Sequence, residues 1–472
     1  MSQIIADLQL HSRFARAVSS EMIISKMAVW AQKKGIHLLA TGDWTHPLWF
    51  KELQASLKED GSGILTLIQD PENTHVKFLL CGEVSCIYNQ GGKLRRIHIL
   101  IFAPDLETVA KINAELTRRG CHLMSDGRPI IGLTSIQLCE VVFSINSTCL
   151  IIPAHAWTPW FALFGSMSGF DSIAEAFGPY TDQIFAIETG LSSDPAMNWR
   201  ITELDHRSIV SFSDAHSGPK LGREATVFNL QELSFNAIRE AIMQPMLDKR
   251  VSSSKYLVSS KEENMIENIP DTRYSMQNTI AYTIEFYPEE GKYHFNGHRN
   301  CNIRLSPEET KKRGVMCPVC GKPLTVGVMH RVEQLAGRSV EDLKLRKKII
   351  DGTQMLGTYS ETFPSRIPYI MTVPLQEVLA EALKAQPNTE KVQSEFTKLT
   401  GALGGEFEVL NKCDLREITS LAGEKVAEGI DRVRKGEIKI DPGYDGVFGV
   451  VKIWNEKEEK LVDESKEQLS LF

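Results

Sequence analysis

No stretch of this chain approaches the ~20 consecutive apolar residues that a membrane-spanning helix needs. A membrane partner is therefore not expected. The N-terminus, MSQIIADLQLHSRF, enters a strand-like run at once and shows no signal-peptide core. The expected location is cytoplasmic. A disulfide framework is missing as well. The nine cysteines are an odd number, and Cys81, Cys86 and Cys149 sit in apolar runs as buried thiols would. No strong charge bias exists, since the net charge is −7, which argues against uniform coating of nucleic acid but leaves room for a local patch. There is no internal repeat. What remains is an ordinary soluble composition, 42% hydrophobic and 24% charged, on 472 residues. That length suits roughly two to four domains.

The chain is strongest in short apolar runs that end on a metal-ligand side chain. Seven occur between residues 4 and 216: Ile4–His11, His37–Asp43, Lys77–Glu83, Leu94–His98, Cys149–His155, Ile184–Glu188 and Ile209–His216. Helix-like stretches such as Glu21–Lys34 and Asp105–Arg119 lie between them. This βαβα order predicts an α/β fold with a largely parallel sheet. Chemistry in (β/α) barrels sits at the C-terminal strand ends, so the pattern describes a barrel with metals at one rim. The rim offers Asp7, His11, Asp43, His46, Glu83, His98, His155, Glu188, Asp214 and His216. Mixed imidazole and carboxylate donors suit Zn, Mn or Fe, and such ions activate water and neutralise phosphoryl charge.

These residues carry a resemblance. DLQLHS at 7–12, TGD at 41–43, GE at 82–83, His98, PAH at 153–155 and SDAH at 213–216 resemble the motifs of the polymerase-and-histidinol-phosphatase (PHP) superfamily over residues 1–245. The resemblance implies a distorted (β/α)7 barrel that hydrolyses phosphoesters with two or three divalent metals (Zn, Mn or Mg). His11, Glu83, His98, His155, Asp214 and His216 match its ligand positions, and Asp43 matches the acid of the second motif. Two positions depart. Gln9 stands where the superfamily has a second His, and Trp44 where His often follows the acid; His46 is a substitute for the latter. Two metals fit this rim better than three. The implied roles are phosphate binding by the metals, a bridge through Glu83, and positioning or activation of water by Asp214 and His216.

Residues 246–275 lose apolar periodicity and read as a linker or excursion. Residues 276–350 hold a second cluster, in which His298-x2-Cys301 and Cys317-x2-Cys320 enclose 15 residues. Two close pairs at this separation predict a closed structural zinc site, with His294 and His330 as competitors to His298. Between Lys292 and Lys348 thirteen Lys and Arg face five Asp and Glu. This predicts a basic, phosphate-binding face that includes Arg299, Lys311, Lys312, Arg313, Lys344, Arg346, Lys347 and Lys348. Tyr293 and Phe295 read as packing residues. Residues 351–454 read as a mainly helical DNA-binding region. Within it Ile418–Ile430 suits either a helix-hairpin-helix or an ordinary amphipathic hairpin. The tail at 455–472 is charged and ends in QLSLF. Gln468, Leu469, Leu471 and Phe472 resemble the bacterial sliding-clamp-binding peptide, with apolar anchors and an orienting amide.

The whole combination resembles the endonuclease Q family, on HSRFARA and ATGDWTHPLWF near the start, on residues 292–330, and on 436–449. That resemblance implies a DNA repair enzyme that cuts the phosphodiester 5′ of uracil, hypoxanthine, xanthine and abasic sites. Two other classes stay open at this point. One is a small-molecule phosphatase of the histidinol-phosphatase type, and the other is a non-catalytic DNA-binding scaffold.

Overall fold

The computed structural model describes residues 1–70, 74–258 and 278–454. Its largest sheet has ten strands. From edge to edge they are Leu345–Ile349, Leu356–Ser360, Tyr369–Met371, Thr279–Glu285, Ala225–Leu230, Ser2–Asp7, Leu38–Ala40, Lys77–Leu79, Ile64–Leu67 and Leu57–Glu59. A four-stranded sheet runs Ile130–Ile131, Cys81–Gln90, Lys93–Phe102, Leu150–Pro153, and a parallel pair joins Ala186–Glu188 to Ser208–Val210. The apolar strand interiors supply one continuous core: Ile97, Ile99, Ile101 and Phe102 are all fully buried. Among the described residues no helix is long and apolar enough to cross a membrane.

The sheets are mixed rather than largely parallel. Ser2–Asp7, Leu38–Ala40 and Lys77–Leu79 are parallel neighbours, but Ser2–Asp7 also pairs antiparallel with Ala225–Leu230. The expectation failed because it placed a helix between every two strands. Cys81–Gln90 and Lys93–Phe102 have none; they form a ten-pair antiparallel hairpin. Its two-residue turn is Gly91-Gly92, with φ of 60° and 73°. Both positive values suit the turn that matches strand twist, and glycine adopts them without a Cβ clash.

Hydrogen bonding crosses the boundary expected at residue 245. Thr279–Glu285 pairs antiparallel with Ala225–Leu230 and parallel with Tyr369–Met371. The helix Phe235–Val258 likewise runs past the point where the linker was expected to start. The expected mainly helical stretch opens with two strands, Leu356–Ser360 and Tyr369–Met371. Five helices then follow between residues 375 and 435. They pack back on the N-terminal part: Lys34 Nζ lies 2.6 Å from Glu406 Oε2, and both side chains are buried.

Candidate metal centre

Strand register brings the ligands together. On the hairpin Glu83 faces Leu100 and Ser85 faces His98. Residues two apart share a face of a strand, so Glu83 and His98 are diagonal neighbours on one face. The next strand, Leu150–Pro153, pairs with Lys93–Phe102 and delivers His155 to the same spot. His98 Nδ1 lies 2.8 Å from Glu83 Oε1 and 3.0 Å from His155 Nε2. A second group forms where Leu10 bridges Ala215 in parallel. His11 then faces Asp214 and His216, which flank Ala215. The ligand atoms within each group, His11–Asp214–His216 and Glu83–His98–His155, all lie within 4.8 Å of one another. The groups touch, because His11 Nε2 is 3.2 Å from Asp214 Oδ1 and 3.3 Å from Glu83 Oε2.

Three of the residues around this cluster have left-handed backbone: Asp43 (φ 39°), His155 (φ 29°) and Asp214 (φ 46°). Non-glycine residues in that region are strained, and the surrounding packing holds them there. Gly190 is part of that packing, since a Cβ on it would meet His155 Cβ at 2.4 Å.

The far nitrogens of two imidazoles are tied down. His11 Nδ1 lies 2.9 Å from Asp43 Oδ1, while Asp43 Oδ2 accepts Ser12 N at 2.5 Å and Ser12 Oγ at 2.7 Å. Thr158 Oγ1 is 3.2 Å from His155 Nδ1 and donates to Trp160 O at 2.9 Å, which leaves the His155 Nδ1–H to donate to Thr158. In both rings Nε2 then faces the cluster. This arrangement of outer partners fixes the tautomer of metal-ligating histidines.

Charges are arranged to match. Burial opposes ionisation of Glu83, yet Arg128 and His98 hold its carboxyl well below the usual range. Asp214 is also held down against its burial, through the hydrogen bond with His11 and that ring's charge. Burial pushes His98 down to about 4, so its ring is neutral. Against burial, the neighbouring carboxylates favour the protonated form of His11 and His155, and a cation bound there would take that proton's place. Gln9 Nε2 donates to Glu83 Oε2 at 2.9 Å, and its Oε1 is buried without a donor. An orphaned buried oxygen beside two His–carboxylate triads fits a divalent cation.

Other expected rim residues lie elsewhere. Asp7 accepts from Ser213 N at 3.0 Å, Ser213 Oγ at 2.6 Å and Gly222 N at 2.9 Å, so it ties strands together. Both Asp43 oxygens contact His11 and Ser12. His46 caps the helix Pro47–Ser56 and stacks on Phe14 at 4.5 Å, away from the ligands. Trp44 is fully buried against Gly82, where a Cβ would come within 2.9 Å of its Nε1. Glu188 accepts from His155 N and, at 2.9 Å, from Gly190 N, beneath the cluster.

Sequence reading missed Arg128. Its Nη1 lies 3.2 Å from Glu83 Oε1 and 3.4 Å from His11 Nε2, so it touches both triads. It comes from a Gly-Arg-Pro turn and not from a strand end, so a strand-end pattern does not contain it. Reading also missed an apolar pocket of about 530 Å³ with His98 and His155 in its wall. Trp160, Phe161, Arg96 and Tyr293 complete most of the lining. The rings of Tyr293 and Trp160 meet edge to face at 5.4 Å. Such a pocket has the size and character of a small-ligand site.

The second cluster is a separate unit. The strands Asn296–His298 and Ile303–Leu305 form a short antiparallel pair. His298, Cys301, Cys317 and Cys320 place four ligand atoms within 4.8 Å, while His294 is buried elsewhere. Burial raises the Cys317 thiol, but the backbone N–H groups of Cys320 and Val319 bring it down to about 7. Three sulfurs and one imidazole at this distance match a tetrahedral zinc site.

The basic residues split into two exposed groups. Lys311, Lys312 and Arg313 end the helix Pro307–Arg313, and Arg346, Lys347 and Lys348 lie on the edge strand Leu345–Ile349, just after Lys344. The edge strand alternates its side chains, so Lys347 faces away from Arg346 and Lys348. Part of the charge is spent locally. Lys311 pairs with Glu333 at 2.8 Å, Arg346 with Glu361 at 2.7 Å, and Arg338 with Asp205 at 2.6 Å. Arg299 is exposed beside Asp445, which accepts its backbone N–H at 2.7 Å. The tail residues Gln468, Leu469, Leu471 and Phe472 lie outside the described residues.

A family model described as the MJ0043 C-terminal domain matches residues 374–437. A curated relative, the uncharacterized protein MJ0043 of Methanocaldococcus jannaschii, is 30% identical over 307 residues, 65% of this chain and 32% of that protein. The chain thus spans about a third of that relative's length. The lesion-specific endonuclease PfuEndoQ from Pyrococcus furiosus aligns at a TM-score of 0.75 and 27% identity, over 96% of both chains. A structure of endonuclease Q with a 27-mer duplex bearing an abasic lesion at its active site aligns at 0.74 and 27%, over 96% of this chain and 98% of that one.

Proposed function

We propose that this chain, which has the architecture of endonuclease Q over nearly its whole length, is a DNA repair endonuclease that hydrolyses the phosphodiester 5′ of uracil, hypoxanthine or xanthine and of abasic sites. It is a metal-dependent hydrolase. The observation that carries the reading is the pair of touching His–carboxylate triads that open beside an apolar pocket. In this reading the N-terminal strands are the rim of a distorted PHP barrel. His11, Asp214 and His216 hold one divalent cation and Glu83, His98 and His155 a second, with Zn, Mn or Mg as the candidate ions. Bound there, they lower the pKa of water and offset the charge that develops on the phosphoryl group.

The protein's own groups do the rest. Asp43 and Thr158 fix the His11 and His155 rings. Arg128, partly exposed at the edge of the cluster, offers a guanidinium to the scissile phosphate while it stays paired to Glu83. Asp214 and His216 are the most exposed of the ligands, at 24% and 34%, and position the attacking water. The pocket takes the damaged nucleotide, extruded because a mispaired base costs less to unstack. Trp160, Phe161 and Tyr293 offer it apolar walls.

Elsewhere His298, Cys301, Cys317 and Cys320 hold a structural zinc. Arg299, Lys311, Lys312, Arg313, Lys344, Arg346, Lys347 and Lys348 contact DNA phosphates. The QLSLF tail docks on the sliding clamp, and the enzyme works in the cytoplasm. The test is cleavage of a duplex with one central uracil by purified protein in Mg or Mn, with a chelator control. A single nick 5′ of uracil is expected, Asp214→Ala abolishes it, and binding survives. Intact strands under every metal condition would sink the reading.

A further inference from the structure

The segment Asp441–Val450 is absorbed by none of the roles above. It connects two short paired strands, Lys439–Asp441 and Val450–Lys452. Its base is clamped. Gly443 N and Gly449 N donate to Glu289 O and Glu290 O at 2.8 and 3.0 Å, and Gly446 N donates to Lys292 O at 2.9 Å. A Cβ on Gly449 would overlap Glu289 O, at 2.0 Å. The side chains beside these contacts are the opposite. Phe448 is 66% exposed, and Val447 and Val450 beside it are 39% and 45% exposed. Apart from Met1, Phe448 and Val319 are the most exposed large apolar side chains among the described residues.

Its neighbours point to the partner. Lys292 Nζ sits 4.4 Å from the centre of the Phe448 ring. The next residue, Tyr293, lines the pocket that contains His98 and His155. At Gly446 an added Cβ would lie 3.3 Å from Arg299 Nη1 and 3.9 Å from the Tyr293 hydroxyl. Lys292 and Arg299 are both exposed cations, which suits a polyanion. The acids of the loop are already engaged: Asp441 pairs with Arg304 at 2.6 Å, and Asp445 accepts from Thr325 Oγ1 at 2.5 Å. An exposed ring over Lys292, whose next residue Tyr293 lines the pocket, matches a side chain that enters a duplex where a nucleotide has left it. Proteins that unstack DNA insert apolar wedges of this kind.

We propose that Phe448 is a wedge that fills the gap left by the extruded nucleotide and so holds the duplex open for the metal centre. The inference rests on the reading of the chain as a lesion-directed DNA endonuclease. Phe448 touches no reacting atom and is a positioning residue. The test compares two substrates, one with uracil in a paired duplex and one with uracil inside an unpaired bubble. It also reads the fluorescence of 2-aminopurine next to the uracil, which reports unstacking without cleavage. Phe448→Ala should lose roughly ten- to a hundredfold in cleavage of the paired duplex, the worth of one stacked base. The loss should fall to about twofold in the bubble, where no stack has to open. The aminopurine signal on binding should drop in parallel, and Phe448→Trp should restore both. Unchanged cleavage of the duplex, or equal loss on both substrates, overturns the wedge while the nuclease reading stands. If the unsubstituted protein cuts neither substrate, the nuclease reading fails first and the wedge falls with it.

Discussion

Two ligand clusters in one chain are built in opposite ways. The His–carboxylate pair of triads hangs from strands that belong to the main core, and its rings are oriented by Asp43 and Thr158 before any ion arrives. The His298–Cys301–Cys317–Cys320 group has almost no core of its own. Only Leu305, Cys317 and Leu324 form its buried cluster, with Cys301 and Ile303 against it. In the first the fold makes the site; in the second the core is small enough that the proposed zinc would make the fold. Chemistry needs the former, because a site that must be rebuilt around each ion cannot hold strained residues such as Asp214 in place.

This contrast can be broken by experiment. Cys317→Ala should have the largest effect. In the proposed reading it removes a ligand from a zinc-ordered unit, and such binding is worth about 10–16 kcal/mol in small zinc peptides. Zinc content should fall, and residues 292–330 should become sensitive to protease while the remainder keeps its protection. A protease-resistant unit without zinc would erase the distinction. Asp43→Asn should act in the other direction, on function without fold. Loss of the partner that orients His11 costs roughly 10–100-fold in metal affinity or activity at such sites. The melting temperature should stay within a few degrees, read by calorimetry beside metal analysis.

The smallest effect concerns the support beneath the first cluster. Glu285 is fully buried and accepts from Ser211, Thr283 and Thr189, so it links three strands. Burial raises its carboxyl to about 8. A carboxyl raised in the folded state adds no penalty below its unfolded pKa near 4.5, and destabilises progressively as pH rises toward 8. Glu285→Gln should therefore leave stability near pH 4 unchanged and raise the melting temperature by roughly a few degrees at pH 8. An equal change at both pH values would show that hydrogen bonding, not ionisation, governs the position.

How much was legible beforehand follows the same division. The ligands His11, Glu83, His98, His155, Asp214 and His216 were readable because each ends or occupies an apolar strand, and the structure does gather them. The grouping of His298, Cys301, Cys317 and Cys320 was readable from spacing alone. Asp7 misled because a buried carboxylate that satisfies backbone donors has the same local pattern as one that binds metal. Arg128 and the wall of Trp160 and Tyr293 were invisible, since none of them ends an apolar strand and their contacts leave no periodic trace. The mixed sheet was missed for want of attention to Gly91-Gly92, which announces a hairpin. The basic count overstated the free charge, because Arg338, Lys311 and Arg346 find local acids.

The strand Thr279–Glu285 has a consequence for how the protein is made. During synthesis Ala225–Leu230 emerges with one side bonded to Ser2–Asp7 and the other side bare. Its second neighbour is translated some fifty residues later, and the outer strands only after residue 345. At about 5–20 residues per second the nascent chain carries an open sheet edge for several seconds. A ribosome-bound chain stopped near residue 245 would present that edge to any other strand in reach. The strand that covers this edge thus comes from beyond the N-terminal part, and a piece ending near residue 245 would lack it.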